Sequence, residues 1–168
     1  MVRNKMIPDR YVKLSRFLGV MGFSLDLSTL QSRILLQKWV YFAEALGTEL
    51  GYRFGWYVFG PYSTDLTRDA YGLQGLEPHL RESNDATPAT QKLKEFLGKV
   101  GTLRPKRTEG YWLELLSSLH FLAVQASPPV RGKEQCILKI ELMKPRKFSR
   151  EDMESAWKLL AEYNLVPP

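Results

Sequence analysis

The most constraining feature of the sequence is the stretch 36–71, where an apolar helical pattern, an aromatic segment and a second helical pattern follow one another. The aromatic segment, residues 52–59, has the aromatic and β-branched content of a strand. Gly60-Pro61 follows it, and we expect a turn there that ends the strand. Ser63 then supplies a hydroxyl that can cap a helix over 64–71. The stretch predicts a mainly α fold with a small β element.

Apolar residues at helical spacing predict six or seven helices in all. Besides 64–71, we expect helices over 9–21, 26–46, 87–100, 110–126 and 132–143, and a last one that begins at Ser149. Ser28 with Gln31, and Ser149 with Asp152, have the spacing of capping pairs. The helices 26–46 and 110–126 are apolar over most of their circumference, which is typical of the centre of a domain. Helix 26–46 keeps a narrow polar stripe that we expect to face solvent: Arg33, Gln37, Tyr41 and Glu44. The last helix is expected to bury Met153, Ala156, Trp157 and Leu160.

The length of 168 residues fits one domain. Polar or Gly- and Pro-containing segments at 79–87, 101–110 and 127–133 are predicted to be mobile loops. No apolar run approaches the roughly 20 residues that cross a bilayer. The first residues lack the apolar core of a secretory signal, and the single cysteine, Cys136, fits a reducing compartment. We therefore expect a cytoplasmic protein without a membrane partner.

The formal net charge of +6 is compatible with a polyanionic partner, although many proteins that bind no nucleic acid have a similar charge. The basic residues concentrate in segments that we expect to be exposed, where side chains can reach a phosphate backbone. The predicted phosphate contacts are Arg104, Lys106, Arg107, Lys144, Arg146 and Lys147.

The sequence contains no pattern that would support catalysis. The glycine-rich phosphate loops and the nucleophile elbow are absent, and no Glu is followed two positions later by Lys as in many metal-dependent nucleases. His79, His120 and Cys136 do not have the spacing of a zinc site, and His120 and Cys136 are interpreted as packing residues. We therefore expect that the protein is not an enzyme and that it binds neither a cofactor nor a metal ion. A hydrolase or nuclease stays an alternative, because an active site can form from residues that are distant in the sequence.

Three segments of the central stretch are similar to known protein families: residues 36–41 (LQKWVY), 51–54 (GYRF) and 56–63 (WYVFGPYS). They resemble the YwgA-type prokaryotic proteins and are more distantly similar to the SocA-like (Panacea) antitoxin group. In that group a Lys-Leu-hydrophobic-Tyr-Phe helix precedes an aromatic strand and a Tyr-Gly-Pro turn, and residues 38–42 and 59–61 occupy those positions. The resemblance covers 30–75 best, and it implies a winged-helix-like helical domain that acts by binding.

Two functions follow from this resemblance together with the charge. The first is a regulator that contacts duplex DNA, since a winged helix can place a helix in the major groove and a basic β-turn on the phosphates. The second is an antitoxin or adaptor that binds a protein, a toxin or defence component, with Tyr57 and Tyr62 as contacts, because tyrosine is frequent among interface hot spots. An exposed aromatic patch would also permit a homodimer.

Overall fold

The computed structural model describes residues 7–76, 86–103 and 107–168. Within them lie seven α-helices and one two-stranded antiparallel sheet, which confirms the predicted mainly α class with a small β element. The winged-helix-like arrangement stays a prediction. Of the predicted mobile loops, residues 79–85 and 104–106 lie outside the described ranges. The elements in chain order are α1 (Asp9–Met21), α2 (Leu30–Ala45), β1 (Gly55–Tyr57), β2 (Gly60–Tyr62), α3 (Thr64–Gln74), α4 (Pro88–Thr102), α5 (Glu109–His120), α6 (Lys133–Met143) and α7 (Arg150–Glu162).

Contacts within the chain group it into two compact units. The first unit comprises residues 1–53 and 63–94, and the second comprises residues 54–62 and 95–168. The sheet belongs to the second unit, although the residues on both sides of it belong to the first. The prediction of a single domain stays a prediction.

The first unit is built on α1, α2 and α3, whose apolar faces are buried. The predicted cap of α3 is confirmed, because Ser63 Oγ accepts a hydrogen bond from the Leu66 amide at 3.3 Å. Gly72 of α3 lies against Tyr11 of α1, and a Cβ at position 72 would stand 2.2 Å from the Tyr11 hydroxyl. A side chain there would therefore require the Tyr11 ring to move.

Helix α2 differs from its prediction in its start and in its polar face. It begins at Leu30 and is capped by Thr29 Oγ1, 3.1 Å from the Ser32 amide, so the predicted cap at Ser28 is wrong; Ser28 lies one residue earlier, and its amide donates to Asp26 at 2.8 Å. Gln37, expected to face solvent, is buried. Its amide group bonds both the N–H and the C=O of the Ser63 backbone, at 2.8 and 3.0 Å. The Ser63 backbone thus supplies the hydrogen bonds that water would make to Gln37 at an exposed position.

The second unit is built around α5, against which α6, α7 and β2 pack. The predicted helix 110–126 is present, but its last part, Phe121–Gln125, is a π-helix. The predicted cap of α7 is confirmed, since Ser149 Oγ accepts from the Asp152 amide at 3.1 Å. The apolar residues expected in α7 are buried: Met153, Ala156, Trp157 and Leu160.

The predicted turn at Gly60-Pro61 is wrong. The two strands form a hairpin whose turn is Val58-Phe59, and Gly60 and Pro61 begin the second strand. Gly60 has a φ of +81°, a left-handed conformation that glycine adopts without strain and that closes a tight turn. Pro61 lies opposite Trp56, between two hydrogen-bonded pairs, where its missing N–H is not needed by the partner strand.

Candidate binding surface

The hairpin is fixed to the rest of the second unit by a side chain of its first strand and by its turn. The Trp56 ring lies 5.8 Å from the Phe121 ring, between centroids. Lys144, directly after α6, donates from Nζ to the Val58 carbonyl at 2.6 Å, and the same Nζ lies 5.7 Å from the centroid of the Trp56 ring. These contacts place the turn of the hairpin beside the carboxyl end of α6.

A buried carboxylate, Glu114 of α5, holds the lysine that fixes the turn. Glu114 Oε1 lies 2.6 Å from Lys144 Nζ and 2.7 Å from Lys147 Nζ. The Lys144 side chain is only 8% exposed, and burial lowers its pKa, while the hydrogen bond that Lys144 donates to Glu114 opposes that effect. The backbone between the two lysines is closed by a hydrogen bond from the Lys147 amide to the Lys144 carbonyl at 3.2 Å.

A second carboxylate in this unit, Asp152 of α7, is paired in a similar way. It accepts a hydrogen bond from the Tyr111 hydroxyl at 2.6 Å and lies 3.6 Å from Arg107 Nε. Burial and the bond to Asp152 raise the pKa of Tyr111. The Arg107 guanidinium lies 5.2 Å from the Tyr111 ring centroid, so this arginine covers an aromatic face as well as a carboxylate.

The six predicted phosphate contacts have different surroundings. Arg104 and Lys106 lie outside the described residues. The expected outward reach of Lys144 is wrong, because the long side chain turns inward to Glu114 and the Val58 carbonyl. Arg107 and Lys147 are partly exposed but already paired with carboxylates. Arg146 is exposed and forms no ion pair within the described ranges.

The structure does bring two of these basic segments together. The Tyr111 ring, which Arg107 covers, lies 5.0 Å from the Phe148 ring. Lys147 Nζ lies 5.7 Å from the Phe148 ring centroid and 5.1 Å from that of Phe59. The segments around 107 and 147 therefore meet across two aromatic rings, a juxtaposition that the sequence does not reveal.

Apolar side chains are exposed on the hairpin and on the neighbouring helix. Val58 at the turn is 78% exposed and Tyr57 is 50% exposed, with the Tyr57 and Tyr62 rings 4.9 Å apart. On α6, Leu142 is 80% exposed, and Leu138, one helical turn earlier, is exposed with it. We call this surface the hairpin face and define it by five residues: Tyr57, Val58, Leu138, Leu142 and Met143. Of these, only Tyr57 is predicted from the sequence. The apolar residues of α6 surround the helix, so their spacing does not distinguish buried from exposed positions.

The residues considered for catalysis are placed in packing environments or are not described. His79 lies outside the described ranges. His120 is buried, and burial lowers its pKa to about 4. Cys136 is buried, its thiol lies 3.3 Å from the Val130 carbonyl, and burial raises its pKa to about 11. In residues 7–76, 86–103 and 107–168, no three His, Cys, Asp or Glu side chains come together as metal ligands would.

Among those same residues, none of the helices has the length and apolar content that crossing a membrane requires. Comparison of the chain with models of known protein families, with curated proteins and with solved structures found no match.

Proposed function

We propose that the protein is a non-catalytic binding protein that holds a protein partner on the hairpin face, as an antitoxin or adaptor would. The observation that supports this proposal is the exposure of Val58 and Leu142 on two elements that Lys144 fixes to each other. Clustered exposed apolar side chains are characteristic of protein interaction surfaces. A fixed surface also binds with a smaller loss of conformational entropy than a mobile one.

The residues at the hairpin turn favour a protein partner over a nucleic acid. A wing that contacts DNA backbone needs a basic turn, whereas this turn consists of Val58 and Phe59. The more distant similarity of residues 38–42 and 59–61 to the SocA-like group agrees with the proposal and would make the partner a toxin or a defence component. The chain would then act by covering a surface of that partner.

Coexpression with the product of a neighbouring toxin-like or defence-related open reading frame tests the proposal. Leu142→Glu and Val58→Asp should each weaken the complex by about 2 kcal/mol, roughly thirtyfold, as expected for interface hot spots. Leu30→Asp is the matched control, because Leu30 is an exposed apolar residue of the first unit. Affinities come from calorimetry on the purified complex. Wild-type affinity in both hairpin-face variants would refute the proposal.

Contact with duplex DNA is the second candidate function. It is supported by the meeting of the Arg107 and Lys147 segments around Tyr111 and Phe148, with Arg146 exposed beside them. If these three cations neutralise phosphates, the logarithm of the binding constant should fall against the logarithm of salt concentration with a slope of about −2.7.

Fluorescence anisotropy with a labelled duplex measures that slope. Arg146→Glu should make it shallower by about one unit. Arg16→Glu, at an exposed position of the first unit, should leave it unchanged. Absence of binding at low salt would remove this candidate and leave the protein-binding proposal intact.

A further inference from the structure

The two flanks of the exposed face of α6 differ in charge. On one flank, Glu134 and Glu141 are both engaged by Arg150 of α7; the guanidinium bonds Glu134 and lies 3.9 Å from Glu141. Arg150 also bonds Glu154 at 3.3 Å. Both carboxylates of this flank therefore have an arginine partner within the second unit.

The other flank carries a cation, Lys139, and a second cation, Arg146, lies in the segment that follows the helix. Lys139 is exposed and precedes Leu142 by three positions and Met143 by four, so all three are neighbours on the helix surface. Arg146 is exposed in the segment that follows α6, and its φ of +62° is uncommon for a residue with a side chain. Lys144 and Lys147 on either side of it are bound to Glu114, which fixes this segment. Neither Lys139 nor Arg146 forms an ion pair with any residue that the structure describes.

We infer that the partner presents an acidic amphipathic helix to the hairpin face. This inference rests on the proposed function and adds the chemistry of the partner. Leu138 and Leu142 form a ridge of residues four apart, the kind that fits into the groove of a second helix. Apolar side chains of the partner helix would cover this ridge and Val58, and its carboxylates would pair with Lys139 and Arg146.

A second copy of the chain fits this surface less well than an acidic partner does. In a two-fold symmetric contact the same patch is present on both sides. Lys139 and Arg146, which form no ion pair among the described residues, are both positive, so two copies would bring like charges together. Charge complementarity therefore selects a partner with carboxylates.

The test uses the full chain and two synthetic helical peptides with identical apolar residues at positions i, i+3, i+4 and i+7. One peptide carries Glu at its flanking positions and the other carries Lys. The Glu peptide should bind about tenfold more tightly at low salt, and the difference should shrink near 1 M salt, where charges are screened within about 3 Å. The double variant Lys139→Glu with Arg146→Glu should reverse the preference, whereas Arg16→Glu should not change it.

Equal binding of the two peptides, or a preference that the double variant does not alter, would overturn the inference. The same holds if neither peptide binds while the coexpressed partner still depends on Leu142; in that case the proposed function stands and the acidic helix is wrong. If Leu142→Glu also leaves the coexpressed complex intact, both proposals fail. Far-ultraviolet circular dichroism of each variant confirms that the helices are retained.

Discussion

Each of the two units holds a buried carboxylate between two cations, but the surroundings of the two carboxylates differ. In the first unit, Asp69 lies 2.5 Å from Arg10 Nε and 3.5 Å from Arg68 Nε, and it accepts a hydrogen bond from the Tyr52 hydroxyl at 3.1 Å. Burial, together with the charge of Asp69, raises the pKa of Tyr52. This cluster joins α1, α3 and the residues that follow α2, and so it serves the packing of the unit.

In the second unit, one cation of the Glu114 cluster has an additional contact. Lys144 donates to the backbone of the hairpin turn as well as to Glu114. Val58, whose carbonyl it contacts, and Leu142, two positions before it in the sequence, are the most exposed large apolar residues that the structure describes. The comparison indicates that similar ionic chemistry stabilises the interior of one unit and, in the other, fixes the hairpin turn beside the end of α6, where we propose a binding surface.

The largest expected effect is at Asp69. Asp69→Ala removes the carboxylate and leaves the Arg10 guanidinium and the Tyr52 hydroxyl without their acceptor, which should lower the free energy of unfolding by about 3–5 kcal/mol. Urea denaturation measures the change. Asp65→Ala, at an exposed carboxylate of the same helix, should cost no more than about 1 kcal/mol. Equal losses in the two variants would show that the Asp69 cluster is not a packing element.

The pH dependence of stability should come partly from the second unit, which contains the buried His120. Its pKa is about 4 in the folded chain against an ordinary value of 6.5. The unfolded chain therefore binds the proton more readily between these values, and stability is lost as the pH falls through that window, by up to about 3 kcal/mol. Urea denaturation between pH 7 and pH 4 measures this loss. His120→Gln should remove the part of this stability loss that comes from protonation of His120. An unchanged pH profile of stability in the variant would show that His120 is not its cause.

Glu114→Gln should have a smaller effect on stability and a larger effect on binding. Lys144 stays buried and keeps a hydrogen-bond acceptor but loses its opposite charge, which should cost about 2 kcal/mol. The turn at Val58 should then loosen, so amide hydrogen exchange in residues 55–60 should accelerate and the partner should bind more weakly. Glu162→Gln is the control at an exposed position. Slow exchange in the hairpin of the Glu114 variant would show that Lys144 does not depend on Glu114 to fix the turn.

Two local interactions, the caps of α3 and α7, were predictable from the sequence, and interactions between distant segments were not. The caps at Ser63 and Ser149 involve a hydroxyl and an amide three residues away, so spacing alone reveals them. The burial of Gln37 depends on the Ser63 backbone, 26 residues later, and that of Lys144 depends on Glu114, 30 residues earlier. A polar residue with such a partner has the same sequence signature as a residue on the surface.

The candidate binding surface shows the same division. The aromatic segment and Tyr57 could be predicted because strand-like composition is a local property. The position of the turn could not be predicted, because Gly60 and Pro61 suit the start of the second strand as well as a turn. The exposure of Leu142 could not be predicted because α6 carries apolar residues around its circumference and its buried side is set by α5 and α7.

The most direct test of the central claim is hydrogen–deuterium exchange on the full chain, alone and in complex with the coexpressed partner. The account predicts that binding slows exchange in two separate segments together, the hairpin residues 55–60 and the residues 138–146. The same exchange pattern should be absent when Leu142→Glu is mixed with the partner. Protection that falls in the first unit, with residues 55–60 and 138–146 unchanged, would contradict the account.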